Sequence, residues 1–448
     1  MALLQKIKKL YRALPPWMTA GVRLVPDGVV FGKSYRKCLA SVNVANVKSN
    51  LKSALDYARE YTAWGREHVP ANIRGEDAAE ILRGMPVVSS DELAAEPKRF
   101  VSDEATDYNS YWTTTGGTGR HPTSIRLSNS SYGIEWKHMH AIWGDGYLRR
   151  RDLKLTFRGY HLKEGELVRF DPIYNELSVD PFQLNDGNFK EFVRKVRRYK
   201  VACLHGYPSL ISMFMERLKS TGETFHVKLI FLGSEGASVE LKRQLSEFFN
   251  AKVISWYGQT EKVVLAYDAD ATGRFVNFSS YGYPWILNPD ENGVGEIIGT
   301  TFVNKAMPLI NYRTGDYGRV TKEIRRDACG AEHKVLVIDH LQGRWGKDFV
   351  YRTPTERIPT SAINLHGSVQ KKILFYQIVQ NEPGKLLVKV LPKNGCSQDS
   401  ISAELGRELS ERLKGFEIKC IAVRSDAEFV RSSRGKMIML VQNMKSDK

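Results

Sequence analysis

Cysteine is scarce in this sequence: five residues, Cys38, Cys203, Cys329, Cys396 and Cys420, with no Cys-x-x-Cys pair among them. That spacing excludes the common zinc ribbons and fingers and offers no disulfide framework, so a reducing cytoplasm is the expected compartment. Long apolar runs are missing too. No stretch approaches the roughly eighteen residues that a membrane-spanning helix needs. The N-terminal MALLQKIKKLYRALPP is basic, but charge interrupts it too often for a secretory signal core. Acidic residues are in deficit, with 50 Asp and Glu against 66 Lys and Arg and a formal net charge of +16. Such a field attracts nucleotides, nucleic acid, anionic lipid or acidic polymers without choosing among them. The basic residues are spread along the chain, with neither a zinc finger nor an aromatic RNA-binding signature beside them, so no nucleic-acid partner is expected. Internal repeats and low-complexity tracts are absent as well.

What is present is a globular composition: 448 residues, 42% hydrophobic and 26% charged, long enough for two or more domains. In residues 1–14, Leu3, Leu4, Ile7, Leu10, Tyr11 and Leu14 share one helical face with lysines and Arg12 around it. That pattern suits a helix packed on its own domain, and it also allows peripheral contact with the inner face of a membrane. The middle of the chain alternates helix and strand periodicities. Phe189, Phe192, Val193 and Val196 mark a helix, and VACLHGY (201–207) a strand. Pro208 opens a helix with Leu210, Ile211, Phe214, Met215 and Leu218 on one face. VKLIFLG (227–233) follows as a strand, then a helix capped by Ser238, then KVISWYG (252–258). This repetition predicts an α/β fold: a large N-terminal domain with mostly parallel sheets and crossover helices. Further on, KKILFYQIVQ and KLLVKVL read as antiparallel strands around Asn381-Glu382-Pro383-Gly384. A helix with Ile401, Leu405, Leu409 and Leu413 precedes Gly415. The tail is thus a small α+β domain, and the expected division is 1–343 and 344–448.

In open α/β sheets ligands lie beyond the carboxyl ends of the strands. Three strand ends here lead into His205–Pro208, Gly233-Ser234-Glu235 and Tyr257-Gly258-Gln259-Thr260-Glu261, and neighbouring strands would line one crevice with them. Thr114-Thr115-Gly116-Gly117-Thr118-Gly119-Arg120 is the densest run of glycines and hydroxyls, able to cradle phosphate oxygens or to form a surface loop. It is no Walker motif, since Arg120 stands where that lysine would be. Tyr257 offers a face for adenine and Glu261 a carboxylate for magnesium. Asp316, in Tyr312-Arg313-Thr314-Gly315-Asp316, suits ribose hydroxyls, Arg344 could reach ribose or phosphate, and Lys436 could bring a cation to a reacting phosphate. Singly, each equally suits a core tyrosine, a turn aspartate, a linker arginine or a solvated lysine.

The order of these elements resembles the adenylate-forming superfamily of acyl-CoA synthetases and adenylation domains. Within it the chain is similar to the phenylacetate–CoA ligase-like branch and to CapK-type capsular polysaccharide biosynthesis proteins. Thr114 to Pro122 resembles the phosphate loop, Tyr257 to Glu261 the Tyr-Gly-x-Thr-Glu element, Tyr312 to Asp316 the Tyr-Arg-Thr-Gly-Asp element, and Arg431 to Lys436 the segment ending in Gly-Lys. FGKSYRK (31–37), HGYPSL (205–210) and YQIVQ (376–380) carry the CapK likeness. The resemblance implies an ATP- and magnesium-dependent ligase that turns a carboxylic acid into an acyl-adenylate and passes the acyl group to coenzyme A or to an amine such as an amino sugar. It implies that Tyr257 stacks on adenine, Gly233, Ser234 and Glu235 border it, and Gly258, Gln259 and Thr260 belong to the same wall. Glu261 would bind magnesium, and Asp316 and Arg344 the ribose. Thr114, Thr115, Gly116, Gly117, Thr118, Gly119 and Arg120 would hold pyrophosphate. Lys436 would bridge carboxylate and α-phosphate, and Asp348 would be the hinge about which a mobile small domain rotates. Gly117, Arg120 and the extra His121 depart from the family loop. Arginine keeps the charge as a planar fork rather than a point, and a non-catalytic nucleotide-binding scaffold is the alternative reading. The segment 132–147, with Trp136 and Trp143, and residues near Tyr207 are where the acyl group is expected.

Overall fold

A computed structural model describes residues 25–114, 123–144, 152–158, 162–171, 173–181, 183–185, 187–326, 330–342, 349–354, 357–359, 369–393, 395–413, 415–431 and 437–444. The N-terminal part holds helix α1 (Val47–Tyr61), which buries Val47, Leu51, Leu55 and Ala58 on one face. A hairpin follows, β1 (Ser110–Thr114) and β2 (Ser124–Ser128), with Thr114 directly opposite Ser124. Helix α2 (Asn129–Gly144) leaves β2 at once.

The chain then builds one sheet of twelve strands. One half comprises β3 (Lys154–Phe157), β4 (Val168–Asp171), β5 (Glu176–Val179), β6 (Cys203–Gly206), β7 (Leu229–Leu232) and β8 (Lys252–Gly258). In space the order is β4-β5-β3-β6-β7-β8. All pairs from β5 to β8 are parallel, and only β4 runs against its neighbour. Beyond β8 the sheet continues through β9 (Leu265–Asp268), β10 (Phe275–Asn277), β11 (Gly282–Leu287), β12 (Gly295–Thr301), β13 (Tyr312–Arg326) and β14 (Glu332–Gln342). Every pairing in that half is antiparallel. The change has a local cause: β6, β7 and β8 are joined by crossover helices, whereas β9 to β14 are joined by turns, which can only return the chain antiparallel.

The crossover helices are α4 (Pro208–Thr221) and α5 (Val239–Phe249), preceded by α3 (Phe189–Arg197) before β6. Each buries the face its periodicity marked. Pro208 occupies the first turn of α4, and the Ser238 hydroxyl accepts the Leu241 N–H at 3.1 Å to cap α5. Leu210, Ile211, Phe214, Met215 and Leu218 of α4 meet Leu155, Phe157, Leu177, Val179, Leu204, Ile230 and Leu232 of the strands in one core. The opposite face of the same strands carries α2, with Ile142 and Trp143 packed on Cys203, Leu229, Phe231 and Ile254.

The C-terminal residues form a second sheet, from β17 (Ile373–Glu382), β18 (Lys385–Pro392), β19 (Glu417–Ala422) and β20 (Leu440–Gln442); a small pair, β15 (Phe349–Tyr351) and β16 (Arg357–Pro359), precedes it. β17 and β18 are antiparallel around the 382–385 turn. Helix α6 (Gln398–Arg412) brings Ile401, Leu405 and Leu409 onto Ile378, Val388 and Val390 in a core of its own. Gly415, three residues after the last helical residue, has φ of +85°. This unit touches the large sheet's helices through Lys393 Nζ, 3.0 Å from Gln244 Oε1 on α5. Among the described residues no helix is long and apolar enough to cross a membrane. Residues 1–14 lie outside those described.

Candidate active site

Because β6, β7 and β8 are adjacent and parallel, the turns at 205–208, 233–235 and 257–261 leave the sheet side by side. At the first turn Gly206 has φ of +151°, and a Cβ there would lie 1.9 Å from the Phe157 carbonyl oxygen. No side chain fits, so the backbone passes close to β3 and enters α4 directly. The Gly206 carbonyl accepts the Gly233 N–H at 3.2 Å, which ties the second turn to the first. Gly233 is buried against Trp256, whose ring would be 2.4 Å from an added Cβ. Ser234 is exposed with φ of +69°. The Glu235 carboxylate accepts the Ser209 N–H, at the start of α4, at 3.2 Å, a position where the helix dipole favours negative charge. Its other oxygen accepts the Met437 N–H of the C-terminal unit at 3.3 Å. Met437 directly follows Lys436, so Glu235 is bonded to the backbone at the end of the lysine-bearing segment.

At the third turn two tyrosine–carboxylate contacts link β8 to β13. The Tyr257 hydroxyl donates to Asp316 Oδ2 at 2.9 Å, and the Tyr312 hydroxyl donates to Glu261 Oε1 at 3.0 Å. Burial, reinforced by the Asp316 charge, pushes the Tyr257 phenol well above its ordinary pKa, so it stays a neutral donor. Asp316 is set by its own strand: its N–H donates to the Thr314 hydroxyl at 3.0 Å, and that hydroxyl donates to the Ile297 carbonyl at 2.7 Å. Gly315 between them has φ of +80°. Glu261 is 1% exposed. Gly258 is exposed and Thr260 half-buried, while both amide atoms of Gln259 are buried without a hydrogen-bond partner among the described residues. Leaving such atoms unmatched costs about 1–3 kcal/mol, and a polar ligand with donors and acceptors would match them. Among the described residues no three His, Cys, Asp or Glu side chains gather into a metal cage. A single buried carboxylate such as Glu261 fits magnesium, which takes one or two carboxylates and fills its remaining positions with phosphate oxygens and water.

The backbone of Thr114 ends β1, and the hairpin register brings it against Ser124. Thr115, Gly116, Gly117, Thr118, Gly119 and Arg120 lie outside the described residues, as do Arg344, Asp348 and Lys436. The described members, Gly233, Ser234, Glu235, Tyr257, Gly258, Gln259, Thr260, Glu261 and Asp316, all fall at the ends of adjacent parallel strands or on β13. Two partners were invisible in the sequence. Tyr312 reaches Glu261 across 51 positions, and Met437 reaches Glu235 across 202. Tyr312 sits inside a motif that drew attention for Asp316, yet no spacing rule links residues so far apart.

Comparison with known proteins agrees with this layout. The AMP-binding enzyme family matches over residues 178–295, the span from β5 to β12. Protein CapK of Staphylococcus aureus is 20% identical over 249 residues, 54% of this chain and 54% of that protein. Phenylacetate-coenzyme A ligase of Thermus thermophilus is 22% identical over 204 residues, 43% of this chain and 44% of that enzyme. The chain thus aligns with about half the length of the curated relatives it matches. Among solved structures, 2-hydroxyisobutyryl-CoA ligase in its postadenylation state superposes with a TM-score of 0.60 at 17% identity, covering 88% of both chains. An open conformation of that ligase, with an acyl-AMP and CoA, gives 0.50 at 17% identity over 90% of this chain and 93% of its own. The fold is that of the adenylate-forming ligases. Over the parts matched, the chain is similar to AMP-binding enzymes, to CapK and to a phenylacetate–coenzyme A ligase.

Proposed function

We propose that this protein is an AMP-forming ligase, which activates a carboxylic acid with ATP as the acyl-adenylate, releases pyrophosphate, and transfers the acyl group to a thiol or an amine. The observation that carries the reading is the pairing of Tyr257 with Asp316 and of Tyr312 with Glu261 at the carboxyl ends of parallel strands. It places an aromatic ring and two carboxylates where an α/β sheet binds nucleotides. On this reading Tyr257 stacks on adenine beside Gly233, Ser234 and Glu235. Asp316 and Arg344 hold the ribose, and Thr114, Thr115, Thr118, Arg120 and the loop glycines hold the pyrophosphate. Glu261 is the magnesium ligand, and a magnesium ion there would offset the negative charge of the phosphates.

The chemistry explains the rest of the assignment. A carboxylate is a poor acyl donor because its oxygen leaves badly, and attack on the α-phosphate exchanges that oxygen for AMP. Two anions must meet for this, so a preorganised cation is needed between them. Lys436 is that cation in our proposal, carried by a unit of residues 344–448 that moves against residues 1–343 about Asp348. Coenzyme A is the acceptor that the ligase relatives suggest. The CapK likeness suggests an amine on a sugar during polysaccharide assembly.

ATP–pyrophosphate exchange over a panel of carboxylic acids is the test. Exchange with at least one acid is expected, and Lys436→Ala should lower it by roughly two to three orders of magnitude, comparable to removing an oxyanion-hole donor. Wild-type exchange in Lys436→Ala would sink the mechanism. ATP binding without exchange for any acid would instead assign a non-catalytic nucleotide-binding role in polysaccharide assembly.

A further inference from the structure

Beside the nucleotide turns, under α2, the sheet buries polar groups that nothing among the described residues satisfies. Positions paired in parallel strands share a face, so the register puts Thr156, Ser178 and His205 on the side that α2 covers, and Lys154, Glu176 and Cys203 one step behind them. Arg158, two residues beyond Thr156, extends the row. Its guanidinium Nη2 donates to His205 Nε2 at 2.9 Å. An arginine has only donors, so His205 Nε2 is an acceptor and the imidazole proton sits on Nδ1. Burial, with Arg158 and then Lys154 adding like charge, holds the His205 pKa well below its ordinary value and keeps that tautomer neutral.

Three N–H groups in this cluster are buried and lack a partner among the described residues: His205 Nδ1, Arg158 Nε and the Trp143 indole Nε1. His205 and Trp143 are 5% and 3% exposed. Their rings are 5.9 Å apart edge to face, and His205 also lies 5.4 Å from the Trp256 ring that backs Gly233. All three groups are donors. Among the described residues no carboxylate pairs with Arg158. The other charges on this face are engaged elsewhere. Lys154 donates to the Tyr174 carbonyl and lies 5.1 Å over the Trp143 ring. Glu176 accepts from the Thr156 hydroxyl at 3.1 Å, and Asp180 accepts from Leu162 N–H and Gln183. An unmatched buried donor costs about 1–3 kcal/mol. Three together, one of them on a guanidinium, make a site for oxygen acceptors.

We propose that the acid activated by this chain bears oxygen on its acyl body, as hydroxyls or a second carboxylate, and that His205, Arg158 and Trp143 recognise that oxygen. The inference rests on the acyl-activating reading above and adds the substrate class. It sets this pocket apart from one for a fatty or arylacetic acid, which would leave all three donors unmatched.

The experiment uses the full chain and two pairs of acids: succinate against butyrate, which match in carbon number, and glucuronate against cyclohexanecarboxylate, which match in a six-membered ring bearing a carboxylate. Each is measured by calorimetric binding and by ATP–pyrophosphate exchange. At least one oxygen-bearing acid should bind about tenfold or more tightly than its apolar partner, and succinate and glucuronate separate a second carboxylate from hydroxyls. Arg158→Met should remove that preference. Trp143→Phe, which keeps an aromatic ring and removes the indole N–H together with its five-membered ring, should reduce it without weakening the apolar acids, and it decides the matter if the arginine variant fails to fold. Equal or tighter binding of both apolar acids, or a preference unchanged in Trp143→Phe and Arg158→Met, overturns the proposal. Exchange confined to apolar acids also overturns it while leaving the ligase reading standing. Absence of exchange with every acid removes the ligase reading, and the binding preference then still decides this one.

Discussion

β3, β5 and β6 show two faces that differ in kind. Toward α3, α4 and α5 they present Leu155, Phe157, Leu177, Val179 and Leu204, each at most 2% exposed and closed over by phenylalanines and leucines. Toward α2 the same strands present Lys154, Thr156, Glu176, Ser178 and His205, all likewise buried, at no more than 8% exposure. Burying hydrocarbon stabilises the fold in proportion to the area removed from water. Burying polar groups stabilises it only where each finds a partner. One face therefore serves the fold, and the other carries an energetic deficit at His205, Arg158 and Trp143 that folding alone does not explain.

The largest expected effect lies on the apolar face. Phe214, on α4, is 3% exposed and lies 4.8 Å from Phe157, with Phe192, Phe225 and Phe249 rings also around it. Phe214→Ala should cost about 3–5 kcal/mol of unfolding free energy, through lost transfer energy plus the cavity left behind. Chemical denaturation measures it. A loss below about 1 kcal/mol would mean that this face is not the close-packed core described, and the contrast between the two faces would fail.

Legibility in the sequence divides along the same line. The helices at 189–197, 208–221 and 239–249 and the strands between them follow from apolar periodicity, because a face packed on hydrocarbon has to be hydrocarbon. The three turns at the strand ends were legible for a related reason: parallel strands put their carboxyl ends together. The antiparallel half of the sheet was less visible, since β9 to β12 are short or buried on both faces and alternate weakly. Least visible were the pairings that organise the site. Tyr257 with Asp316, Tyr312 with Glu261 and Arg158 with His205 each join residues far apart in the chain, and single-sequence periodicity carries no information at that range. Lys154, Thr156 and Glu176 drew no reading from the sequence, although they mark the face that does something other than hold the fold together.

A second, smaller effect belongs to the α2 side and appears only on acidification. His138 is fully buried on α2; its Nδ1–H donates to the Ile134 carbonyl at 2.8 Å and its Nε2 accepts from Ser280 at 2.8 Å. Burial lowers its pKa from 6.5 to about 4. The folded state thus resists protonation that the unfolded chain accepts. The stability tied to this group is complete above pH 6.5, declines as pH falls, and is lost by about pH 4, amounting to about 3 kcal/mol. Denaturation of wild type and His138→Leu at pH 7 and pH 4 isolates this contribution as the difference in their pH dependence. Parallel pH profiles for the two proteins would show that His138 does not resist protonation. The α2 side would then lose its distinguishing sensitivity to acid.

The sharpest form of the comparison predicts the smallest change in stability. Removing one member of the Arg158–His205 pair strands the other, but replacing both removes two costs together: the unmatched Nδ1–H and the unmatched guanidinium Nε–H. Arg158→Met/His205→Phe keeps comparable apolar volume, and the new ring can still meet Trp143 and Trp256 edge to face. Exchanging both partners for apolar groups of similar shape is close to neutral or stabilising. The double variant should therefore unfold within about 1 kcal/mol of wild type, or above it, while its preference for oxygen-bearing acids disappears. For a purely structural polar pair the same double replacement would be as close to neutral in stability, but it would leave the preference among acids unchanged. Denaturation and calorimetry on this one variant thus decide whether the polar face of β3 and β6 exists for the fold or for a ligand.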